Sequence, residues 1–389
     1  MPAIPVRLPA RSQTYQIKVG SGVLRTLGEE LRASVGPEAR RAVLITNTTV
    51  FELYGRRAIQ SLRRAGFAVN YWLMRDGERQ KSFRSLQRAV EFLSESGLQR
   101  NDAVVALGGG VVGDLAGFAA AIYLRGISFV QVPTTLLAQI DASVGGKTGI
   151  NLPAGKNLVG AFHQPQQVVI DVDTLRTLPR RELTSGFCEM VKQGAVGSRK
   201  LFDQTVRLLS SIDFSLWPPG IKSQTEVCAT QLSAVIAAHC RFKASIVVGD
   251  EREDVARTDA RSRRILNFGH TTAHALEKVT NYRRFRHGEA VGYGMLVAAE
   301  ISKSLGMLPS RELELMRKAV TLCGPLPRAD DLSTAQIIDA MTVDKKAVQG
   351  KLNWVLLERI GRPRIVDANQ IETRILRAAL AAALRRQSL

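Results

Sequence analysis

Cysteine is scarce in this sequence, and the cysteines that are present form no recognisable pattern. Four occur among 389 residues, and no two of them have CxxC spacing: Cys188, Cys228, Cys240 and Cys323. This distribution excludes a disulfide framework and a cysteine-rich zinc site. We therefore expect reduced thiols that are mostly buried.

Long apolar runs are also lacking. No segment offers eighteen uninterrupted apolar residues for a membrane span, and the first twenty residues lack the apolar stretch of a signal peptide. The sequence therefore predicts a cytoplasmic protein without a membrane partner. Its length and its 45% hydrophobic content favour two domains, each with a substantial core.

Acidic residues are few relative to basic ones. The chain has 54 Lys+Arg against 35 Asp+Glu, a formal net charge of +19, which is compatible with nucleic acid, a membrane surface or an anionic substrate. Paired arginines are spread along the whole chain instead of being collected in one tract with interleaved aromatic residues. This distribution predicts no nucleic-acid partner and favours an anionic small molecule.

The spacing of apolar residues changes near residue 180. Before it, short apolar runs at 41–46, 68–74 and 103–107 alternate with helical patterns, as in a parallel α/β sheet. One such helix is expected between Ser82, which would cap its start, and Gly97, which would end it. After residue 180, helical patterns dominate at 186–212, 225–246, 270–279, 288–305 and 311–322. We predict an α/β domain over 1–180 and an all-helical domain over 181–389.

A glycine-rich turn follows the expected strand at 103–107. Gly108, Gly110 and Gly113 satisfy GxGxxG, and a helical pattern begins at once. In a Rossmann-like domain such a turn brings backbone amides at a helix start close to a pyrophosphate. The spacing alone is weak, because no acidic residue stands near the usual twenty-residue offset. A βα turn without a ligand remains the alternative.

Two lysines lie among small residues between 140 and 165. Lys147 and Lys156 accompany Asp141 and Asn157 in this segment. Lysines with little bulk around them can reach phosphate or carboxylate oxygens, which a purely structural loop would seldom require. The pattern favours binding of an anionic group.

Histidines cluster in the second half of the chain. His270 and His274 are four residues apart on one expected helix, and His287 follows, so three of the five histidines lie within eighteen residues. Glu189 lies on another expected helix. A carboxylate with two imidazoles is a standard zinc ligand set that leaves a position open for substrate. Spacing leaves open which two histidines would bind metal, and hydrogen-bonded core histidines are the alternative.

From about residue 40 to about 360, the ordered motifs resemble those of the 3-dehydroquinate synthases, within the sugar phosphate cyclase superfamily. The blocks that carry the resemblance are DGERQK (76–81), GGGVVGDLAGF (108–118), RGI (125–127), VPTTLLA (132–138), the lysine-rich segment (141–165), GFCEMVK (186–192), NFGH (267–270), HGEAV (287–291) and DKK (344–346). The resemblance implies an N-terminal Rossmann-like parallel α/β domain followed by a helical metal-binding domain.

The same resemblance implies a set of site residues. NAD would be contacted by Asp76, Glu78, Lys81, Gly110, Val111, Asp114, Thr134, Thr135, Lys147 and Lys156. The metal, usually zinc with cobalt as an alternative, would be held by Glu189, His270 and His287. Catalytic roles would fall to His274, Lys147, Asp141, Lys192 and Arg125, and substrate binding to Asn157, Lys192, Lys243, Arg263, Asn267, Lys345 and Lys346. Arg125 matches an arginine lent to the neighbouring subunit, which implies a homodimer.

The implied activity is conversion of 3-deoxy-D-arabino-heptulosonate 7-phosphate to 3-dehydroquinate and phosphate, a carbon–oxygen lyase step of the shikimate pathway. NAD would be oxidising agent and reductant in turn, without net consumption. Three alternatives stay open at this point. They are a related cyclase making 2-epi-5-epi-valiolone, 2-deoxy-scyllo-inosose or an amino-dehydroquinate, a metal-dependent alcohol dehydrogenase of the glycerol dehydrogenase type, and a non-catalytic protein that binds nucleic acid.

Overall fold

The computed structural model describes residues 13–212, 225–254, 256–347 and 353–385, and within these it describes no side chains for 225–229 and 342–347. Three of the four cysteines, Cys188, Cys240 and Cys323, are free and buried, as expected. The side chain of Cys228 lies outside the described part.

A parallel six-stranded sheet forms the centre of the first half of the chain. Its order is β1-β8-β5-β4-β2-β3, and its strands are β1 (Gln16–Gly20), β2 (Arg41–Asn47), β3 (Ala68–Met74), β4 (Ala103–Gly108), β5 (Ser128–Pro133) and β8 (Gln167–Asp171). The three predicted strands at 41–46, 68–74 and 103–107 are confirmed. Strands β4 and β8 are buried throughout, as expected for a parallel sheet covered on both faces.

Helices cover both faces of this sheet. On one face lie α1 (Leu27–Val35), α2 (Thr48–Val50) and α3 (Arg56–Arg64), with a π-helical turn between the last two. On the other lie α4 (Phe83–Glu95) and α5 (Gly110–Ile122). Alternate side chains of β2 separate accordingly, since Leu44 packs with the first group and Val43 and Ile45 with the second. Ser82 caps α4 by accepting a hydrogen bond from the Ser85 amide.

A two-stranded antiparallel hairpin leaves the sheet between β5 and β8. It consists of β6 (Lys147–Leu152) and β7 (Gly155–Phe162) and packs against α5. Its strands meet so closely that a Cβ at Gly160 would lie 2.0 Å from the Thr148 carbonyl oxygen, and one at Gly149 would lie 2.5 Å from that of Val159. Only glycine fits at these two positions, and the close pairing fixes the lysine-rich segment.

The second half is mainly helical. Its helices are α6 (Arg180–Gly197), α7 (Arg199–Ser211), α8 (Thr225–Gly249), α9 (His270–Val279), α10 (His287–Ser304), α11 (Ser310–Leu322), α12 (Thr334–Ala347) and α13 (Thr373–Leu384). A parallel sheet with helices followed by a helical part is the predicted fold class. Helices α6 and α10 are the most buried, because nearly all their residues from Leu183 to Val196 and from Gly288 to Ile301 are enclosed.

Two details differ from the sequence pattern. The single helix expected over 186–212 is broken at Ser198, whose extended backbone (φ −169°, ψ 154°) ends α6 and whose side chain accepts a hydrogen bond from the Leu201 amide to start α7. The half expected to be all-helical also contains an antiparallel hairpin, β9 (Asn353–Arg359) with β10 (Arg362–Asp367). Trp354 and Leu356 of β9 join the helical core.

Helix α8 contains a stretch, Thr230–Gly249, that is long and apolar enough to cross a membrane by length and composition. A core helix passes the same test, and two polar side chains identify it as one. His239 is fully buried and contacts Gln193 of α6, and Lys243 forms an ion pair with Asp141. We therefore interpret α8 as part of the protein core.

Candidate active site

A cleft of about 650 Å³ lies between the β6–β7 hairpin and the helical half. Its polar lining includes eleven of the twenty-three site residues that the motifs implied: Asp114, Asp141, Lys147, Asn157, Lys192, Lys243, Arg263, Asn267, His270, His274 and His287. Residues as far apart in the sequence as Asp114 and His287 therefore face one cavity.

Buried charges alternate in sign along one wall of the cleft. Asp141 forms a close ion pair with Lys243 and lies 4.0 Å from Lys192. Burial would raise the pKa of Asp141, but the charges of Lys243 and Lys192 outweigh it and hold the pKa far below its usual range. Asp141 is therefore ionised at neutral pH and keeps two lysines in place beside the cavity.

Glu189, His270 and His287 converge beside this wall. The Nε2 atoms of the two histidines are 3.3 Å apart, and Oε1 of Glu189 lies 4.0 Å from His270 Nε2 and 3.6 Å from His287 Nε2. Zinc bonds of about 2.0–2.1 Å in a tetrahedron separate ligand atoms by roughly 3.3 Å. The group is thus close to the size that a zinc ion requires.

The other atoms of these side chains are consistent with metal binding. Both carboxylate oxygens of Glu189 are buried without a hydrogen bond, although Lys192 Nζ approaches Oε2 to 2.5 Å outside hydrogen-bond geometry. His270 Nδ1 lies 3.3 Å from the Phe268 carbonyl oxygen, and His287 Nδ1 lies 3.5 Å from Oε2 of Glu277. Partners on Nδ1 leave both Nε2 atoms directed at the gap, as metal-ligating histidines require.

Protonation of the two histidines differs. Burial, together with the charge of Lys192, holds the pKa of His270 well below its usual range, so this imidazole is neutral and able to ligate a metal. Burial would also lower the pKa of His287, but its contact with Glu277 and the charge of Glu189 raise it overall. A bound cation would replace the proton that these carboxylates favour on His287.

His274 lies one helical turn from His270 and belongs to a second group of close side chains. Its ligand atom, that of Glu277 and that of His287 all lie within 4.8 Å of one another. His274 lines the cleft, whereas Glu277 is buried behind it. His270 and His287 thus lie in one possible metal-binding group with Glu189, and His274 and His287 lie in a second one with Glu277.

The residues expected to contact NAD gather at the carboxyl edge of the parallel sheet. Gly110 and Val111 open α5 directly after β4, Thr134 and Thr135 follow β5, and Asp76 and Glu78 follow β3. A Cβ at Gly109 would lie 3.1 Å from the side chain of Thr135, and one at Gly113 would lie 2.5 Å from that of Gln131. These close approaches suit a turn whose amides face a pyrophosphate.

Contacts join this edge to the hairpin. The buried ammonium of Lys81 lies 2.5 Å from Asp114 and also contacts Asn157 of β7. Glu78 accepts a hydrogen bond of 2.6 Å from Asn151 of β6. Asp76 accepts one of 2.8 Å from Thr49. The edge of the sheet is therefore in direct contact with the hairpin that borders the cleft.

Four of the expected site residues lie elsewhere or outside the described side chains. Lys156, on β7, pairs with Glu277 at 3.2 Å behind the cleft. Arg125 stands in the turn after α5 with φ 65°, outside the cleft lining of its own chain. Lys345 and Lys346 lie in α12, and their side chains are outside the described part.

Two acidic residues at the site were not anticipated. Glu253 lines the cleft and forms a close ion pair with Lys147. Its backbone has a φ of 57°, so it is held in a left-handed turn. Glu277 follows His270 by seven residues and His274 by three, which places it on the same helix face. That spacing was visible in the sequence, whereas the pairing of Glu253 was not.

Solved structures with the same fold define the class. The 2-epi-5-epi-valiolone synthase ValA of Streptomyces hygroscopicus subsp. jinggangensis 5008, with NAD+ and Zn2+ bound, is 26% identical, with a TM-score of 0.81 over 98% of this chain and 100% of that one. A 2-deoxy-scyllo-inosose synthase complexed with carbaglucose-6-phosphate, NAD+ and Co2+ is 24% identical, with a TM-score of 0.73 over 94% and 96%. The fold is that of the sugar phosphate cyclases.

Sequence relatives narrow the class. Two protein-family models match the chain. The one described as 3-dehydroquinate synthase N-terminal matches residues 71–185, and the one described as 3-dehydroquinate synthase C-terminal matches residues 186–347. The 3-dehydroquinate synthase of Pelotomaculum thermopropionicum is 44% identical over 93% of this chain and 92% of its own length. The chain belongs to the 3-dehydroquinate synthase family, and the resemblance inferred from the motifs is confirmed.

Proposed function

We propose that this protein is a 3-dehydroquinate synthase that converts 3-deoxy-D-arabino-heptulosonate 7-phosphate to 3-dehydroquinate and phosphate, a carbon–oxygen lyase dependent on NAD and a divalent metal. The observation that carries the proposal is the convergence of Glu189, His270 and His287 on the wall of a lysine-lined cleft, in a chain 44% identical to a relative of that name.

The charges of the cleft suit such a substrate. The heptulosonate carries a carboxylate and a phosphate, and Lys147, Lys192, Lys243 and Arg263 all line the cavity. Arg263 is almost fully buried, and its guanidinium is held by the carbonyl oxygens of Gly145 and Glu251. Fixed cations in a confined site stabilise anionic groups without reorganising during the reaction.

Cofactor and metal would each supply one kind of chemistry. When bound at the sheet edge, NAD would accept a hydride from the substrate and later return it, and Zn2+ or Co2+ held by Glu189, His270 and His287 would act as a Lewis acid. The protein's own task is to hold the substrate and move protons. His274, one turn from His270, lines the cleft and would take the proton of a substrate hydroxyl.

We also propose a cytoplasmic homodimer in which Arg125 enters the neighbouring subunit's cleft. Ile122 and Leu124, on either side of the start of this turn, are exposed by 45% and 38%, and Phe162, at the end of β7, is exposed by 47%. The turn adjoins the end of β7, since a Cβ at Gly126 would lie 3.9 Å from the His163 ring. Exposed apolar residues that cluster in this way are typical of a protein interface.

The deciding experiment measures phosphate release from 3-deoxy-D-arabino-heptulosonate 7-phosphate with catalytic NAD and zinc. Stoichiometric phosphate and dehydroquinate without accumulation of NADH is the expected result, with His270→Ala as the inactive control. Turnover of sedoheptulose 7-phosphate in place of the heptulosonate would instead identify a related cyclase. Net accumulation of NADH would identify an alcohol dehydrogenase.

A further inference from the structure

Glu277 is a buried carboxylate whose two oxygens contact different parts of the molecule. Its side chain is only 5% exposed. Oε2 lies 3.5 Å from Nδ1 of His287, and Oε1 lies 3.2 Å from Nζ of Lys156. His287 begins α10 in the helical half, whereas Lys156 belongs to the β6–β7 hairpin that forms the other side of the cleft.

We propose that Glu277 is a positioning residue with two simultaneous tasks: it orients the metal-binding imidazole of His287, and it anchors the hairpin across the cleft through Lys156. This inference rests on the proposed metal site. Neither contact involves the atoms that would meet a metal, because His287 directs Nε2, not Nδ1, toward Glu189.

The first task follows from the geometry of the imidazole. A carboxylate at Nδ1 fixes the tautomer and the ring orientation of a metal-ligating histidine and increases its basicity. The other ligand histidine, His270, has only a backbone carbonyl at its Nδ1. Glu277 is therefore the one carboxylate among the described residues that contacts the outer nitrogen of either His270 or His287.

The second task follows from how Lys156 is held. Besides Glu277, its ammonium lies 4.6 Å from the centre of the Tyr282 ring. Tyr282 and Asn281 have positive φ angles of 55° and 51°, and the Tyr282 amide donates to the Glu277 carbonyl oxygen at 2.7 Å. The last turn of α9 and the turn after it thus present a carboxylate and an aromatic face to one hairpin lysine.

An alternative assignment makes Glu277 a ligand of a second ion, with His274 and His287. It would require His287 to ligate two ions, one through each ring nitrogen. The positioning role needs no second ion and also accounts for the contact with Lys156. Counting bound metal distinguishes the two assignments.

The test measures zinc affinity by competition with a chromophoric chelator, and amide hydrogen exchange of residues 147–162, without NAD or substrate. Wild-type protein should bind one zinc ion, and His270→Ala should bind none; no zinc in wild type, or equal zinc in both proteins, would remove the metal site itself. Glu277→Ala should weaken zinc binding about 10- to 100-fold and speed exchange in the hairpin. Glu277→Gln keeps a hydrogen-bond acceptor for His287, so it should weaken zinc binding less than Glu277→Ala does.

Lys156→Met is the matched control. It removes the hairpin contact but keeps the Glu277 carboxylate at His287, so it should speed hairpin exchange, and because the Lys156 pair is partly exposed it should change zinc affinity less than about fivefold. Unchanged zinc affinity and exchange in folded Glu277→Ala or Glu277→Gln would overturn the proposal. Two zinc ions in wild type and one in Glu277→Ala would overturn it too, since Glu277 would then be a ligand.

Discussion

The ammonium nitrogen of Lys192 lies 2.5 Å from Oε2 of Glu189, and both side chains are essentially inaccessible to solvent. Glu189 belongs to the group proposed to hold a metal, and Lys192 is the nearest cationic side chain to its carboxylate among the described residues. Burial would lower the pKa of Lys192, but Glu189 and Asp141 raise it overall, so the ammonium stays charged. Lys192 therefore compensates the charge of Glu189 before any metal binds.

Replacing this lysine should make the fold depend on metal. In Lys192→Met, Glu189 keeps a buried charge without its partner, and such a loss costs about 3–5 kcal/mol of unfolding free energy. Zinc returns a positive charge to the carboxylate, so added zinc should raise the melting temperature of Lys192→Met more than that of wild type. Thermal unfolding with EDTA and with zinc measures both effects. The exposed Lys200→Met is the control, and equal zinc-induced shifts in all three proteins would contradict the prediction.

His270 and His274 should separate metal binding from catalysis, although they are one helical turn apart. His270→Ala removes a ligand, so we expect metal and activity to be lost together. His274→Ala should retain the metal and lose about 10²- to 10⁴-fold in kcat, the usual contribution of a general acid or base. Metal content and kcat are measured on the same preparations. Full metal occupancy in His270→Ala would show that the ligand assignment is wrong.

The strands and the fold class were predictable because the apolar runs of a buried parallel sheet are local features of the sequence. The strand predicted at 103–107 is present in the structure, and so is the helix cap predicted at Ser82. The break at Ser198 was not predictable in the same way, because the apolar spacing continues through it and only the extended backbone of that one residue separates α6 from α7.

The sequence motifs predicted many of the residues that line the cleft, but they did not predict which of these residues form pairs. Lys147 and Glu253 are 106 positions apart, and their contact depends on how the hairpin meets the loop after α8. Likewise, Glu277 is recognisable by its spacing from His270, yet its contact with Lys156 requires the hairpin to be placed. Tertiary placement, not local propensity, decides such contacts.

Glu253 should compete with the anionic substrate for Lys147. The ion pair is partly exposed, with side-chain accessibilities of 26% and 50%, so its strength is at most about 1 kcal/mol. Glu253→Gln should therefore lower the KM for the heptulosonate about two- to fivefold, and the effect should shrink in high salt. Asp259→Asn, exposed on the same loop, is the control. A higher KM in Glu253→Gln would mean that its carboxylate assists binding.

Arg125 should act in the partner's site if the dimer forms as proposed. Arg125→Ala and His270→Ala are each expected to be inactive as homodimers. In a mixed dimer, the site built on the Arg125→Ala subunit keeps His270 and receives the intact Arg125 of the other chain, so activity should return. Differently tagged subunits, co-expressed and purified through both tags, provide the sample. Persistent inactivity of proven heterodimers would exclude a shared arginine.

His239 should make the fold sensitive to acid at a point that supports the cleft. Its imidazole contacts Gln193 and Thr205, and Gln193 donates to the Ile140 carbonyl oxygen, next to Asp141. Burial lowers the pKa of His239 to about 3, whereas an unfolded histidine titrates near 6.5.

Because the His239 pKa is lower in the folded state, the unfolded state binds more protons between those values. The contribution of the neutral His239 to stability is therefore fully present above pH 6.5, and it falls by about 1.4 kcal/mol for each pH unit between pH 6.5 and the folded-state pKa. His239→Gln lacks the titrating group, so its unfolding free energy should fall less between pH 7 and pH 5 than that of wild type. Urea unfolding at several pH values measures the slope of unfolding free energy against pH for wild type and for His239→Gln. EDTA in the buffer keeps metal ligation out of the comparison. Equal slopes would contradict the prediction, because they would mean that the His239 pKa is the same in the folded and unfolded states.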